Sequence, residues 1–237
     1  MRQSNGYIIF YASILSVVCA GLLVGANLLL KDRQTANVEL EQKTSILATV
    51  MTLEEGSDIE KLYRENVREF VVNSEGEVVS GMTPKQVAIA TEYKKPAKER
   101  MLPVYEFRNK QDTTQLDYVV FPVFGAGLWD AIWGYVALES DMNTIKGVKF
   151  EHKGETPGLG ARITDAEVQN RYPGKEVYEN GKLVSITMMK GEGNDYSGDK
   201  HKVDGLSGAT LTAKGVNNML TDYLAAYEGY INKHKKK

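Results

Sequence analysis

LDYVVFPVFGAGLWDAIWGYVAL, residues 116–138, contains two β-rich runs, Leu116 to Val123 and Ile132 to Leu138, separated by glycines and a turn. Aromatic and β-branched residues dominate both runs, and the glycine-punctuated centre folds them back as a hairpin. On either side, Leu102 to Arg108 and Ile145 to His152 read as further strands. Upstream, Phe70-Val71-Val72, a turn at Asn73 to Gly76 and Val78-Val79 read as a second hairpin. Thr83 to Arg100 and Ile163 to Tyr172 read as helices, and Leu183 to Lys190 as a strand. A terminal helix is expected from Leu211 to Lys233, with the apolar stripe Val216, Met219, Leu220, Tyr223, Leu224 and Tyr227. Strands and helices mix without a regular βαβ repeat, which makes the class α+β.

The amino-terminal part follows a different rule. Tyr7 to Leu30 contains no Asp, Glu, Lys, Arg or His. As a helix, about 24 residues at 1.5 Å each reach about 36 Å, enough to cross a hydrocarbon layer of about 30 Å. A cleaved signal peptide would have a shorter apolar run and a small-x-small cleavage site, and a lipoprotein signal would want a small residue where Val18 precedes Cys19. Ala12, Ser16, Ala20, Gly21 and Gly25 would let another membrane helix approach closely. Arg2 with the amino terminus opposes Lys31 and Arg33, so charge leaves the orientation open. Lys31 to Met51 continues as a polar helical stalk. The expected organisation is a short tail and membrane helix over 1–30, a stalk, hairpin and helix region over 31–100, and the main domain over 101–237.

Composition narrows the chemistry. The 29 basic and 31 acidic residues give a net charge of -2, no field for collecting nucleic acid. The single cysteine, Cys19, excludes an internal disulfide, a multi-cysteine zinc site and a resident iron–sulfur cluster. The histidines, His152, His201 and His234, have no ligand spacing, and no nucleophile–base pair stands out.

Three clusters remain. Asp204-Gly-Leu-Ser207-Gly208-Ala209-Thr210-Leu211-Thr212 opens directly into the terminal helix. Pattern alone reads it two ways, as a seat for a phosphate on the unpaired N–H groups or as an ordinary hydroxyl cap. His152-Lys-Gly-Glu155-Thr156-Pro-Gly-Leu159-Gly160-Ala161 is either a plain strand-to-helix loop or one that wraps a flat ligand. In the Gly125 to Tyr135 hairpin, Trp129 is positioned to cover an aromatic cofactor, whereas strand alternation assigns Trp133 to the core.

Taken together, Gly125-Ala-Gly-Leu128-Trp129, the Asp141 to Gly147 linker, His152 with Glu155 to Gly160, and Ser207 to Thr212 resemble, in order and spacing, the NqrC family of subunits of the sodium-translocating NADH:quinone reductase. The related RnfG subunit of the ferredoxin-linked Rnf complex shares the Thr-Pro-Gly-Leu-Gly and Ser-Gly-Ala-Thr motifs, but Gly127-Leu128-Trp129 favours NqrC. A membrane-anchored sensor or binding module and a hydrolase are more distant alternatives. The resemblance implies one transmembrane helix followed by an α+β FMN-binding domain, with FMN esterified through its phosphate to Thr210. It also implies attachment by an FAD:protein FMN transferase that recognises Asp204 to Thr212. Leu128, Trp129, Thr156, Leu159 and Gly160 become expected ring contacts, and Glu155 a residue that orders the loop or acts in electron exchange. Ser207, Gly208, Ala209 and Leu211 complete the expected phosphate-side set. Five partner subunits, a location in the inner membrane and a periplasmic FMN domain follow from the same resemblance.

Overall fold

The computed structural model describes residues 4–109, 112 and 115–235, in two units, Met1–Gln42 and Lys43–Lys237. Helix α1, Asn5–Ala48, is 44 residues long, about 66 Å at 1.5 Å per residue. It contains the charge-free run, whose side chains are exposed along their length, and it is long and apolar enough to cross a membrane. It does not stop at Leu30 but runs on through the polar stalk.

The second unit is built on a five-stranded antiparallel meander: β1 (Val67–Val72), β2 (Leu102–Arg108), β3 (Leu116–Ala126), β4 (Ala131–Glu139) and β5 (Ile145–His152) in sequence order. Because β1 pairs with β2 from Val67↔Phe107 to Val72↔Leu102, the expected boundary at residue 100 falls between adjacent strands of one sheet. The first hairpin forms in abbreviated shape, with Val72 bridged to Val78. One face of the sheet packs Tyr105, Phe107, Val120 and Ala137 against Ile46 and Leu47 of the last turn of α1 and Tyr63 of α2 (Ile59–Asn66). The other packs Val104, Phe121, Ile132, Val136 and Phe150 against the carboxy-terminal helices α5 (Thr210–Ala226) and α6 (Glu228–His234). Both faces are covered, which is why β2 is buried almost throughout rather than alternating.

Four expectations need correction. Thr83 to Arg100 is not one helix: it comprises two single 3-10 turns, Pro84–Gln86 and Ala97–Glu99, around α3 (Ile89–Glu92). Pro84 and Pro96 interrupt hydrogen bonding and push the preceding residues out of helical conformation. Ile163 to Tyr172 divides into a 3-10 stretch, Gly160–Thr164, and α4 (Ala166–Gln169). Leu183 to Lys190 is broken: β7 (Lys182–Leu183) pairs with β6 (Tyr178–Glu179), Ser185 turns at φ 61°, and β8 (Thr187–Met188) pairs in parallel with β9 (Lys202–Val203). The terminal helix bends at Tyr227, whose hydroxyl donates to the Pro103 carbonyl at 2.7 Å while Tyr230 donates to Glu106 at 2.7 Å. The expected stripe along α5 is buried in full.

Candidate functional site

The ladder between β2 and β3 ends at Tyr105↔Val120, whereas β3 and β4 stay paired to Ala126↔Ala131. The hairpin therefore runs on beyond β2, and Pro122 falls where no donor to β2 is required. Its tip is closed by the Gly127 N–H donating to the Asp130 carbonyl at 2.8 Å, which leaves Leu128 and Trp129 exposed. On the other side of β4, Ile132 pairs with His152, so the 153–160 loop leaves the sheet beside that tip. The first turns of α5 lie against the same tip: a Cβ added to Gly215 would sit 2.5 Å from the Ala126 carbonyl oxygen and 3.2 Å from Gly127 Cα. Three clusters far apart in the sequence thus meet at one end of the sheet.

Glu155 joins them. Its carboxylate is buried, accepts the Trp129 N–H at 2.9 Å and accepts the hydroxyl of Thr212, itself only 1 % exposed. Burial alone would raise this carboxyl. The Thr212 hydroxyl and the N–H groups of Trp129, Asp130 and Leu128 outweigh it and hold the group below its ordinary value. The junction admits no extra carbon: a Cβ on Gly127 would lie 2.5 Å from Glu155 Oε1, and one on Gly160 2.5 Å from Oε2 and 3.2 Å from Thr212 Cβ.

The candidate residues divide by exposure. Leu128, Trp129, Thr156, Leu159, Ser207, Gly208, Thr210 and Leu211 face outward, whereas Glu155, Gly160, Ala209 and Thr212 are buried and Asp204 is half-buried. Leu159 lies over Gly208, where an added Cβ would approach its Cδ2 to 2.8 Å. Helix α5 begins at Thr210 with Ala209 as N-cap and no side-chain capping bond, so none of the hydroxyls in the stretch is used as a cap. An open helix start beside an exposed hydroxyl, next to four exposed apolar side chains, suits a ligand with a phosphate at one end and a flat apolar body. Trp133 is half-buried on the sheet face opposite Ile132, not in the main core.

A second set of residues, which sequence patterns do not reveal, holds the loops. Glu192 accepts both Arg162 terminal nitrogens, at 2.9 and 2.7 Å, the Ser207 N–H at 3.2 Å and Arg171 at 3.3 Å. Arg171 also donates to the Gly205 carbonyl at 2.7 Å. The only local signal is a carboxylate between two glycines, Gly191-Glu192-Gly193. The Arg162 guanidinium, helped by the Ser207 N–H, draws the Glu192 carboxyl down to about 2. A folded value below the unfolded one, roughly 4.3, means that its stabilising contribution is complete above that pH and is lost as pH falls through about 2. Trp129 emission, recorded in a Trp133→Phe background, should therefore stay constant from neutral pH down to about 5 and change only below about 4. A transition near neutrality would contradict this.

Comparison with known proteins agrees with the geometry. The model of the FMN-binding domain matches residues 127–225, the span holding all three clusters. The corresponding subunit of the Na(+)-translocating NADH-quinone reductase of Haemophilus ducreyi is 32% identical over 219 residues, covering 86% of this chain and 84% of that one. The crystal structure of the same subunit from Parabacteroides distasonis superposes with a TM-score of 0.74 at 32% identity, covering 85% of this chain and 96% of that one. Shewanella oneidensis NqrC gives 0.69 at 30% identity over 82% and 96%. On sequence and on fold, this chain belongs to the NqrC family of subunits of the Na(+)-translocating NADH-quinone reductase.

Proposed function

We propose that this chain carries FMN as a phosphoester on Thr210 and relays electrons between iron–sulfur and flavin centres of a sodium-translocating NADH-quinone reductase, on the way to quinone. The observation that carries this reading is the exposed Thr210 hydroxyl at the uncapped start of α5, beside exposed Leu128, Trp129, Leu159 and Leu211. When bound, FMN supplies one-electron transfer between carriers. Thr210 would hold the phosphate where unpaired N–H groups and the helix dipole favour negative charge. The four apolar side chains would pack the ring, and the exposed Thr156 would hydrogen-bond its edge. Glu155 and Thr212 hold these surfaces together from beneath.

For attachment, Thr210 Oγ1 bonds to the FMN phosphorus of FAD as the phosphoanhydride bond to AMP breaks. The hydroxyl proton is released, and AMP leaves with the electron pair. An FAD:protein FMN transferase performs this step. Helix α1 anchors the chain in the inner membrane with the FMN domain on the periplasmic side, in contact with five further subunits. Co-expression with the transferase, followed by denaturing electrophoresis, tests the cofactor assignment: a flavin-fluorescent band is expected, and a dark band despite an active transferase would overturn it.

A further inference from the structure

The acceptor stretch is held from outside itself. Asp204 turns inward, accepting the N–H groups of Gly193 at 2.6 Å and Asn194 at 3.2 Å. Gly205 is pressed so closely on the neighbouring chain that an added Cβ would lie 2.9 Å from the Met189 carbonyl carbon. The 187–194 segment is itself fixed to α5 by Asn217, which donates to the Met188 carbonyl at 2.9 Å and accepts its N–H at 2.7 Å. From this segment Glu192 reaches both halves of the site. Through Arg162 it holds Gly160–Thr164, the continuation of the loop bearing Thr156 and Leu159. Through the Ser207 N–H and Arg171 it holds the stretch that ends in Thr210. A bidentate guanidinium–carboxylate pair restricts angle as well as distance, so one carboxylate sets the spacing between the two loops.

We propose that Glu192, which precedes the Asp204–Thr212 stretch in the chain, is a positioning residue for flavin attachment, and that Asp204 and Thr212 serve the same purpose from inside the fold. The transferase then acts on the folded surface of Ser207, Gly208, Thr210 and Leu211, not on a linear sequence. This rests on the assignment of Thr210 as acceptor. The alternative, reading of the linear stretch alone, predicts that Glu192 has no effect, because it lies outside that stretch.

The test is a time course of flavin incorporation into the purified full-length chain by the transferase with FAD. Wild type is compared with Glu192→Gln and with Arg162→Lys, which keeps the charge but loses the planar fork. Attachment is expected to slow by about tenfold or more in both, with the loss in kcat rather than KM, because the exposed surface is intact while the acceptor is displaced. Circular dichroism melting identifies the folded variants. Wild-type rates in a folded Glu192→Gln, or in folded Arg162→Lys should the first not fold, would overturn the proposal and leave the flavin assignment standing. An unlabelled wild type would overturn both.

Discussion

Replacing Thr210 by Val should abolish covalent flavin while leaving the melting temperature almost unchanged. Thr212→Val, two residues on, should do the reverse. Thr210 is exposed at the first residue of α5 and makes no capping bond, so losing its hydroxyl should change stability by no more than about 0.5 kcal/mol. Without that oxygen there is no atom to form the ester, and denatured protein should show no bound flavin. Thr212 is buried and donates to the Glu155 carboxylate. Its removal leaves a buried anion short of a donor, at a cost of about 1–3 kcal/mol. Some labelling should survive in that variant, because the acceptor is still present. In-gel fluorescence and thermal melts on the same samples separate the two hydroxyls. Loss of fluorescence in Thr212→Val with retention in Thr210→Val would reverse the assignment.

Glu155→Ala should be among the most damaging single changes in the domain. It removes the acceptor for the Trp129 N–H and the Thr212 hydroxyl together, and leaves a gap where Gly127 and Gly160 close on the carboxylate. Breaking a buried, hydrogen-bonded charge in this way costs about 3 kcal/mol or more, which for a unit of this size lowers Tm by about 6–12 °C. Glu155→Gln keeps the volume and one acceptor oxygen, and should fall in between. Equal melting temperatures for wild type and Glu155→Ala would contradict the role given to this junction. Because the carboxyl is held below its ordinary value, its contribution is full above roughly pH 4.3 and is lost only in acid.

What can be read in the sequence is local. Leu102–Arg108 and Ile145–His152 are legible to the residue because β-branched and aromatic runs end there in turn formers. The stripe from Val216 to Tyr227 is legible because helical periodicity needs no knowledge of its partner. Thr83 to Arg100 misleads because its apolar spacing suggests a helix, while Pro84 and Pro96 permit only single turns. The individual clusters are visible as motifs, but their meeting depends on the register Ile132↔His152 and on close approach at Gly215, and neither leaves a local trace. Glu192 is invisible for the same reason: its partners Arg162, Arg171 and Ser207 lie 30, 21 and 15 residues away. The division of the Asp204–Thr212 stretch into an outward Thr210 and an inward Thr212 likewise requires the helix start to be seen in place.

The central claim is that Thr210 is the residue bearing FMN, and peptide mass mapping of the chain co-expressed with the transferase tests it most directly. Cleavage after Lys202 and Lys214 releases one peptide, residues 203–214, containing both candidate hydroxyls. The predicted result is a peptide heavier by FMN less one water, with fragment ions that assign the added mass to Thr210. An unmodified peptide from a preparation with active transferase, or fragments that assign the mass to Thr212, would contradict it.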